Sequence, residues 1–328
     1  MSAAPDPSAE PDSHAPALSI LVVSYNTREM TLACLASVLA ETRGDFELIV
    51  VDNASADGSA EAIAAAHGAD PRLRLLAEPR NHGFAAANNL AARLARGRRL
   101  LLLNPDTVVL DGAIDRLCAF ADARPEAGIW GGRTLFADGT LNPTSCWARP
   151  TLWSAFCRVA GLTGLFPRSE TFNPEAMGAW PRDAERAVDV VTGCFFLIDR
   201  ALWDRLGGFD PAFVMYGEEA DLCLRARALG ARPRITPEAR IVHHGGASEA
   251  VRVDRVVRIL AGKASVMRRH LTGWRRRAAL TCHRLWPLTR WWAAGLLGAL
   301  PGRRAESAAV WREVWDRRAE WAEGWPGT

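Results

Sequence analysis

Four short apolar runs alternate with segments of helical pattern across the first 110 residues of this 328-residue chain. Strand-forming residues dominate the runs, and the segments between them repeat apolar residues near the spacing of a helix. Neighbouring parallel strands need long crossover connections, which helices usually supply. The alternation therefore predicts an α/β fold with a mostly parallel sheet flanked by helices, with strands at 18–24, 46–51, 73–77 and 100–103 and helices at 27–39, 60–66 and 85–94.

Polar side chains follow three of these runs at the point where each run ends. The tripeptide Ser-Tyr-Asn at 24–26 follows the first run, Asp52 follows the second, and Asn104 and Asp106 follow the fourth. The carboxyl ends of parallel strands meet at one edge of a sheet, and open α/β sheets bind their ligands there. These residues therefore form a candidate binding site.

Eight segments, in order along the chain, resemble motifs of family 2 glycosyltransferases, notably of their rhamnosyltransferase-like branch. They are VVSYN at 22–26, VVDNASADGS at 50–59, NHGFAAANN at 81–89, LNPDT at 103–107, GCFFL at 193–197, GGFD at 207–210, MYGEEADLC at 215–223 and HH at 243–244. The match covers roughly residues 18–248. The resemblance implies a GT-A fold, a nucleotide-diphospho-sugar donor, a divalent metal ion and transfer with inversion.

The resemblance places Asp106 at the last aspartate of the family's metal-binding DxD motif. Hard oxygen ligands suit Mg²⁺ or Mn²⁺ that bridges two phosphates. Asn104 occupies the first position of the motif, where it brings no charge but can donate to ribose or phosphate. The family also implies a metal-contacting histidine at His243 or His244. Adjacent strand residues face opposite ways, so at most one of the two is expected to point into the cleft, and His243 is preferred. The alternative is that Asn-Pro-Asp forms only a turn.

Asp52 is predicted to read the nucleobase or ribose, because a carboxylate accepts the ring N–H of uracil or thymine. Ser24, Tyr25 and Asn26 would complete the pocket at the end of the first strand. The alternative makes Asp52 an ordinary turn residue. Three further residues are assigned to cradling the nucleotide, with structural roles as the alternative for each: Asn81, Gly83 and Asn88.

An acidic cluster opens the predicted helix at 219–229 and supplies the candidate catalytic base. An inverting transfer needs one carboxylate within reach of the acceptor hydroxyl. Glu219 stands where relatives carry Asp in an acidic pair, and we assign it as the base. Asp221 is the second candidate, although capping or orienting the helix is its more natural role. Glu218 is expected to face solvent.

The remaining pattern divides the chain into three parts. Residues 1–17 lack the pattern of a signal peptide and are predicted to be a disordered leader. Residues 18–250 form the GT-A domain, with a nucleotide-binding half at 18–110 and an acceptor half at 111–250. Within the latter, residues 147–181 are rich in proline and aromatic residues, and we predict an irregular segment for acceptor binding or a lid. Other predicted elements are helices at 114–123 and 200–206 and strands at 188–198, interrupted by Gly193, and 239–244.

Residues 251–328 form a basic, tryptophan-rich tail of helical pattern. They contain sixteen Lys and Arg against six Asp and Glu, a balance of +10, whereas the whole chain carries +3, so the first 250 residues carry −7. The apolar stretch at 278–300 includes Arg284, Pro287 and Arg290, which argue against a membrane span. Arg and Trp around apolar residues favour a helix on an anionic membrane surface. The alternative is a helical hairpin packed on the catalytic domain or at a dimer interface.

The seven cysteines form no CxxC pair, which favours a reducing cytoplasm over a disulfide framework or a zinc site. No nucleic-acid-binding motif accompanies the basic charge. A dinucleotide-dependent oxidoreductase is disfavoured because no GxGxxG follows the first strand. A non-catalytic scaffold remains an alternative, given Asn104 and Glu219.

The sequence thus predicts an inverting enzyme on the cytoplasmic face of a membrane. The resemblance suggests rhamnose from dTDP-rhamnose, with galactofuranose or another hexose as the alternative. The acceptor would be a saccharide or a polyprenyl-diphosphate-linked sugar in synthesis of the bacterial cell envelope. Oligomeric state is left open.

Overall fold

The computed structural model describes residues 15–245, 252–296 and 303–328. The leader predicted at 1–17 lies outside the described residues except for positions 15–17. The elements follow in the order β1 (Leu18–Ser24), α1 (Arg28–Glu41), β2 (Phe46–Asp52), α2 (Ser59–His67), β3 (Leu73–Ala77), α3 (Phe84–Leu94), β4 (Arg99–Leu103), β5 (Thr107–Val109), α4 (Ala113–Ala123), β6 (Ile129–Leu135), β7 (Cys146–Trp147), α5 (Leu152–Val159), α6 (Leu162–Leu165), β8 (Arg186–Ala187), β9 (Val190–Val191), β10 (Phe195–Asp199), α7 (Arg200–Leu206), α8 (Glu218–Ala228), β11 (Arg234–His243), α9 (Arg252–His270), α10 (Gly273–Leu296) and α11 (Arg303–Asp316).

Nine strands of the described residues form one sheet in the order β3-β2-β1-β4-β10-β6-β11-β5, with β8 paired to β11. Strands β1 to β4 are parallel, and Leu18 lies opposite both Phe46 of β2 and Arg99 of β4. Strand β10 then enters antiparallel between β4 and β6. The prediction of an α/β fold with a mostly parallel sheet is confirmed, and its antiparallel pairings all lie beyond β1 to β3, where β10 pairs with β4 and β6 and β11 pairs with β5 and β8.

The sheet is buried on both faces, as strand β1 shows. Ile20 and Val22 point into the core beneath α1, α2 and α4, whereas Leu21 and Val23 point into the core beneath α3 and α8. A strand covered on both faces has no polar alternation, because every side chain enters a core. This is why β1, β2 and β4 were recognisable as continuous apolar runs. Strand β3, at the edge of the sheet, is only partly buried.

The segment 147–181 differs from its prediction as an irregular stretch, because it contains helices α5 and α6. A reciprocal cap begins α5: the Ser154 amide donates to Thr151 Oγ1 at 3.0 Å, and the Thr151 amide donates to Ser154 Oγ at 2.9 Å. Such capping boxes usually carry Glu or Gln at the position of Ser154. The helix start was therefore easy to overlook in the sequence.

The C-terminal helices pack on the catalytic domain, as one of the two readings of the tail predicted. Gly262 of α9 lies so close to the loop before α8 that a Cβ on it would meet the Tyr216 carbonyl oxygen at 2.1 Å. Lys263 of α9 makes an ion pair with Glu175, which Arg158 of α5 also contacts at 2.7 Å. Helix α10 packs along α5 and α11, and Trp321 is fully buried. Within the described residues, no helix has the length and hydropathy needed to cross a membrane.

Candidate active site

The β4–β5 loop and the end of β11 bring Asp106 and His243 together. Strand β11 runs antiparallel to β5 and places His243 opposite Thr107. His243 Nε2 then lies 3.4 Å from Asp106 Oδ1, and both side chains are largely buried. The side chain of His244 is exposed, while its backbone amide donates to the Asp106 carbonyl oxygen at 3.0 Å. Of the two histidines proposed for the metal site, only His243 has its ring beside Asp106.

Mutual attraction favours the charged forms of Asp106 and His243. Burial raises the pKa of Asp106, but the hydrogen bond and charge of His243 outweigh it and lower the pKa below the ordinary value. Burial likewise opposes the imidazolium, yet Cys194 and Asp106 raise the pKa of His243 to about 11. His243 Nδ1 and Asn104 Oδ1 are buried with no hydrogen-bond partner. Buried polar atoms in this state are costly unless a ligand satisfies them.

These residues fit a metal ion that is shared with the donor, and not a complete protein-bound metal centre. Among the described residues, no group of three or more His, Cys, Asp or Glu could enclose an ion. Mg²⁺ and similar ions commonly bind through one or two carboxylates and complete their coordination with substrate phosphates and water. Asp106 and His243 could supply the protein ligands, and the unpartnered Asn104 amide oxygen lies in the same loop.

The acidic start of helix α8 reaches this loop through residues 193 and 194. The Asn104 amide donates to the Cys194 carbonyl oxygen at 3.1 Å. At the preceding residue, a Cβ on Gly193 would touch both Glu219 Cβ and the Phe84 ring at 3.8 Å. These are ordinary van der Waals distances, so Gly193 packs directly beside Glu219 and Phe84. The β4–β5 loop with Asn104 and Asp106 therefore contacts Cys194, and the predicted base Glu219 contacts the neighbouring Gly193.

Glu218 is buried and Glu219 is partly buried, and each has an unsatisfied carboxylate oxygen. The Oε2 atoms of both have no hydrogen-bond partner. Burial raises the pKa of both carboxyl groups, and the charge of Glu219 raises that of Glu218 further. Paired carboxylates with pKa values pushed apart by their environments are a common source of acid and base roles. The prediction that Glu218 faces solvent is wrong: it is 4% exposed, because Gly217, in a left-handed conformation with φ of 97°, turns the helix start inward.

Asp221 lies in the same helical turn but in a different environment. It is fully buried, and Arg225 Nε and His270 Nε2 lie 2.7 Å and 2.9 Å from its carboxylate oxygens. Arg269 Nη1 approaches at 3.2 Å. Burial raises the pKa of Asp221, but His270, Arg225 and Arg269 together lower it below the ordinary value. A carboxylate with these partners is a poor proton acceptor and a strong link between α8 and α9.

The donor-side residues cluster after β2 and before α3. Asp52 is buried, with Oδ2 accepting from the Ser55 amide at 3.1 Å and Oδ1 unpartnered. Asn53 bridges to the next loop: its Nδ2 donates to Asn81 Oδ1 at 2.9 Å, and its Oδ1 accepts from the His82 amide at 2.9 Å. Asn81 Oδ1 also accepts from the Gly83 amide at 2.8 Å. Asp52 Oδ1 is thus the free polar atom of this cluster.

The other predicted donor residues divide by role. Ser24 is fully buried and bonded to the Thr31 hydroxyl at 2.9 Å, and Asn88 donates to the Phe84 carbonyl oxygen at 2.9 Å within helix α3. Both have structural partners. Tyr25 is 40% exposed, and Asn26, at φ of 53°, holds the adjacent turn by accepting from the Ala56 amide at 2.7 Å. Tyr25 is therefore an exposed aromatic residue that directly follows Ser24, the partner of Asp52 in the sheet.

Sequence reasoning missed Asn53 as a support for the donor loop and Glu218 as a buried acid. The signal for Asn53 was its place in the motif after β2, next to Asp52. For Glu218, the glycine immediately before it was the available signal, because a left-handed residue there redirects the first helical side chain.

Comparison with known proteins gives the following matches. The sequence profile described as glycosyl transferase family 2 matches residues 19–204. The O-antigen biosynthesis protein RfbC of Myxococcus xanthus is 32% identical over 242 residues, which are 71% of this chain and 18% of that protein. An N-acetylglucosaminyl-diphospho-decaprenol L-rhamnosyltransferase of Mycobacterium tuberculosis is 27% identical over 241 residues, which are 69% of this chain and 76% of that protein.

A solved structure with the same fold is that of the mannosyltransferase PcManGT from Pyrobaculum calidifontis, in complex with GDP-Man and Mn²⁺. It aligns with a TM-score of 0.58 at 19% identity and covers 96% of this chain and 88% of its own. At this identity the likeness concerns the fold. It extends over the C-terminal helices as well as the sheet, since nearly the whole chain is aligned.

Proposed function

This chain belongs to glycosyl transferase family 2, and we propose that it is an inverting rhamnosyltransferase that uses dTDP-rhamnose. The acceptor would be a saccharide carried on a polyprenyl diphosphate in synthesis of a cell-envelope polysaccharide. The rhamnosyltransferase relative acts on an acceptor of that kind by its name. Galactofuranose or another hexose is the alternative donor sugar. A lipid-linked acceptor would place the enzyme on the cytoplasmic face of the membrane.

One observation carries the proposal: two sets of unsatisfied polar groups flank the Gly193–Cys194 backbone. Asn104 bonds to Cys194 and shares a loop with Asp106, beside His243, whereas Glu219 packs against Gly193 and Glu218 precedes Glu219 at the start of α8. A scaffold without activity would have no reason to keep such groups buried and unpaired, because each costs about 1–3 kcal/mol. A transferase needs both sets, one for the leaving diphosphate and one for the acceptor.

The assigned roles follow from these environments. Glu219 removes the proton from the acceptor hydroxyl as its oxygen forms the new bond to the anomeric carbon, and the bond from that carbon to the diphosphate breaks. Glu218 keeps its own proton, so that only one negative charge stands at the helix start. Asp52 accepts from the nucleobase, and Tyr25 lies against that ring. Asp106, with His243 as a neutral imidazole, would hold a Mg²⁺ or Mn²⁺ ion, which would neutralise negative charge on the diphosphate.

The direct test supplies the full chain with Mn²⁺ and a panel of nucleotide-sugars, and measures release of nucleoside diphosphate and the anomeric configuration of the product. An N-acetylglucosaminyl-diphospho-lipid serves as acceptor. We expect dTDP-rhamnose to be turned over with inversion. If only UDP-galactofuranose were turned over, it would replace dTDP-rhamnose as the assigned donor. Absence of turnover with every donor would favour a non-catalytic scaffold.

Asp106 has its own test, which is calorimetry with dTDP in the presence and absence of Mn²⁺. Asp106→Ala should lose the gain in affinity that Mn²⁺ gives the wild type, because it removes the carboxylate that shares the ion with the diphosphate. Asp183→Asn, at an exposed position outside the site, is the control. Equal affinities for wild type and Asp106→Ala under both conditions would remove Asp106 from the metal site.

A further inference from the structure

Among the described residues, exposed apolar side chains gather on α5, α6 and one side of α10, which packs along α5. We define this apolar–basic surface by its exposed members, which are Trp153, Phe156, Leu165, Phe166, Trp274, Leu285 and Trp292. Leu165 is 71% exposed and Trp274 is 68% exposed. Exposed apolar side chains that cluster in this way mark contact surfaces, whereas scattered ones need no explanation.

Ring contacts make the α5–α6 part of this surface continuous. The Trp153 and Phe156 rings stack with centroids 5.6 Å apart, and Phe172 joins Trp153 to Phe166 at 6.3 Å and 5.1 Å. Trp153 Nε1 donates to the Thr171 carbonyl oxygen at 2.7 Å, so its polar atom is satisfied and its ring is left outside. An open groove of about 590 Å³ lies beside these rings, and Arg275 and Cys282 of α10 form its other wall.

Helix α10 continues the surface with a stripe of its own. Trp274, Leu285 and Trp292 are separated by eleven and seven residues, which returns them to the same side of a helix. The opposite side of α10 is buried through Ala279 and His283. The stripe is thus the side that the fold leaves uncovered.

Unpaired arginines surround the apolar side chains. Arg275, Arg276, Arg277 and Arg290 are exposed, and none makes an ion pair with a carboxylate among the described residues. Neighbouring arginines of the same helices differ: Arg268 and Arg284 both pair with Glu323. Arg290 lies near α6, where a Cβ on Gly164 would be 4.0 Å from its Nη1. Four exposed arginines of α10 that have no carboxylate partner among the described residues therefore accompany its exposed apolar side chains.

From this pairing of exposed rings with unpaired guanidinium groups we propose that the apolar–basic surface docks on an anionic lipid bilayer. Tryptophan and arginine are the residues that partition to the headgroup level, where rings enter the acyl boundary and cations meet phosphate. Aromatic and apolar burial supplies the attachment, and each arginine near an anionic surface strengthens it about fivefold. A second copy of this chain is disfavoured as the occupant, because it would bring the same unpaired positive charge to the contact.

The surface adjoins the acceptor side of the proposed site. Strand β7, which leads into α5, pairs with β9, two residues before Gly193. A bilayer on this surface would present a lipid-linked acceptor near Glu219. The inference deepens the proposed function, but docking itself does not depend on which sugar is transferred.

The test is co-sedimentation of the full-length protein with phosphatidylcholine vesicles that contain or lack phosphatidylglycerol, over a series of salt concentrations. We expect binding only to the anionic vesicles, and weaker binding as salt rises. Replacing Arg275, Arg276 and Arg277 by Glu should weaken binding at low salt by on the order of a hundredfold. The double variant Leu165→Asp, Phe166→Asp should also weaken vesicle binding, because it removes apolar side chains that would enter the bilayer. Both positions are exposed, so the fold should tolerate the change.

A matched control reverses the charge of three exposed arginines elsewhere: Arg43, Arg205 and Arg232. This control should bind nearly as the wild type does. If both triple variants lost the same affinity for the vesicles, binding would depend on the net charge of the protein and not on this surface. Unchanged binding of the Arg275–Arg277 variant would overturn the proposal. A change in mass by sedimentation equilibrium for the Leu165–Phe166 variant would instead assign the surface to a second copy. Donor hydrolysis without vesicles should stay at the wild-type level in all variants, so failure of docking is distinguishable from failure of the proposed reaction.

Discussion

The first turn of helix α8 contains two acidic environments with opposite electrostatics. Glu218 and Glu219 have oxygens without partners and raised pKa values, and Glu219 packs against Gly193. Asp221, on the other side of the same turn, is held by His270, Arg225 and Arg269, and its pKa is lowered. The comparison shows that burial does not decide whether a carboxylate is free to react. The cations that the rest of the chain delivers decide it.

The largest expected effect is on turnover when Glu219 is changed to Gln. Loss of a general base typically costs a factor of about a hundred to ten thousand, while the similar shape of Gln should leave donor affinity nearly unchanged. Steady-state kinetics with calorimetric donor binding measures both quantities, and Glu126→Gln, at an exposed position, is the control. Wild-type turnover in Glu219→Gln, together with an inactive but folded Asp221→Asn, would exchange the roles of the two residues.

The next effect is on stability when Asp221 is changed to Asn. Three cations would lose their shared anion, and breaking a buried ion pair costs about 3 kcal/mol. Asp204→Asn is the matched control, because Asp204 is 61% exposed in a pair with Arg200 of its own helix and should change stability little. Denaturant unfolding measures the two changes.

The lowered pKa of Asp221 also fixes the pH range of this effect. The stabilisation is present above the unfolded pKa of about 3.9 and is lost as the pH falls through the folded value. The wild type and Asp221→Asn should therefore differ fully at neutral pH and converge in acid. A difference that is independent of pH would indicate a packing effect, not an ionic one.

The smallest effect is expected for Glu218→Gln, which should raise folding stability where Asp221→Asn lowers it. The raised pKa of Glu218 means that the folded protein retains a proton that the unfolded chain releases above a pKa of about 4.3. Wild-type stability should therefore fall as the pH rises through that range, whereas the neutral amide avoids the penalty. Melting temperatures from pH 4 to 8 should show Glu218→Gln progressively above the wild type. Destabilisation at pH 7 would mean that Glu218 is ionised and paired.

The parallel half of the fold could be predicted because its information is local. Strand β1 was predicted with its observed bounds, and the helices that follow the strands were found within two residues. Strands buried on both faces and helices with apolar spacing each leave a signal within a few residues. Helix α5 was missed for the same reason: its cap uses Ser154 in place of the usual Glu or Gln, so the local signal was absent.

The sequence by itself determined the family, the α/β architecture and the residue types at the site, because motifs after strands occupy fixed places at the sheet edge. It could not decide which histidine lies beside Asp106, since that depends on the pairing of β11 with β5. Nor could it separate Glu219 from Asp221. Arg269 and His270, which neutralise Asp221, are 48 and 49 residues away along the chain and reach it only through the packing of α9 on α8. A carboxylate's proton affinity depends on the charges within a few ångströms of it, and only the tertiary structure brings those charges there.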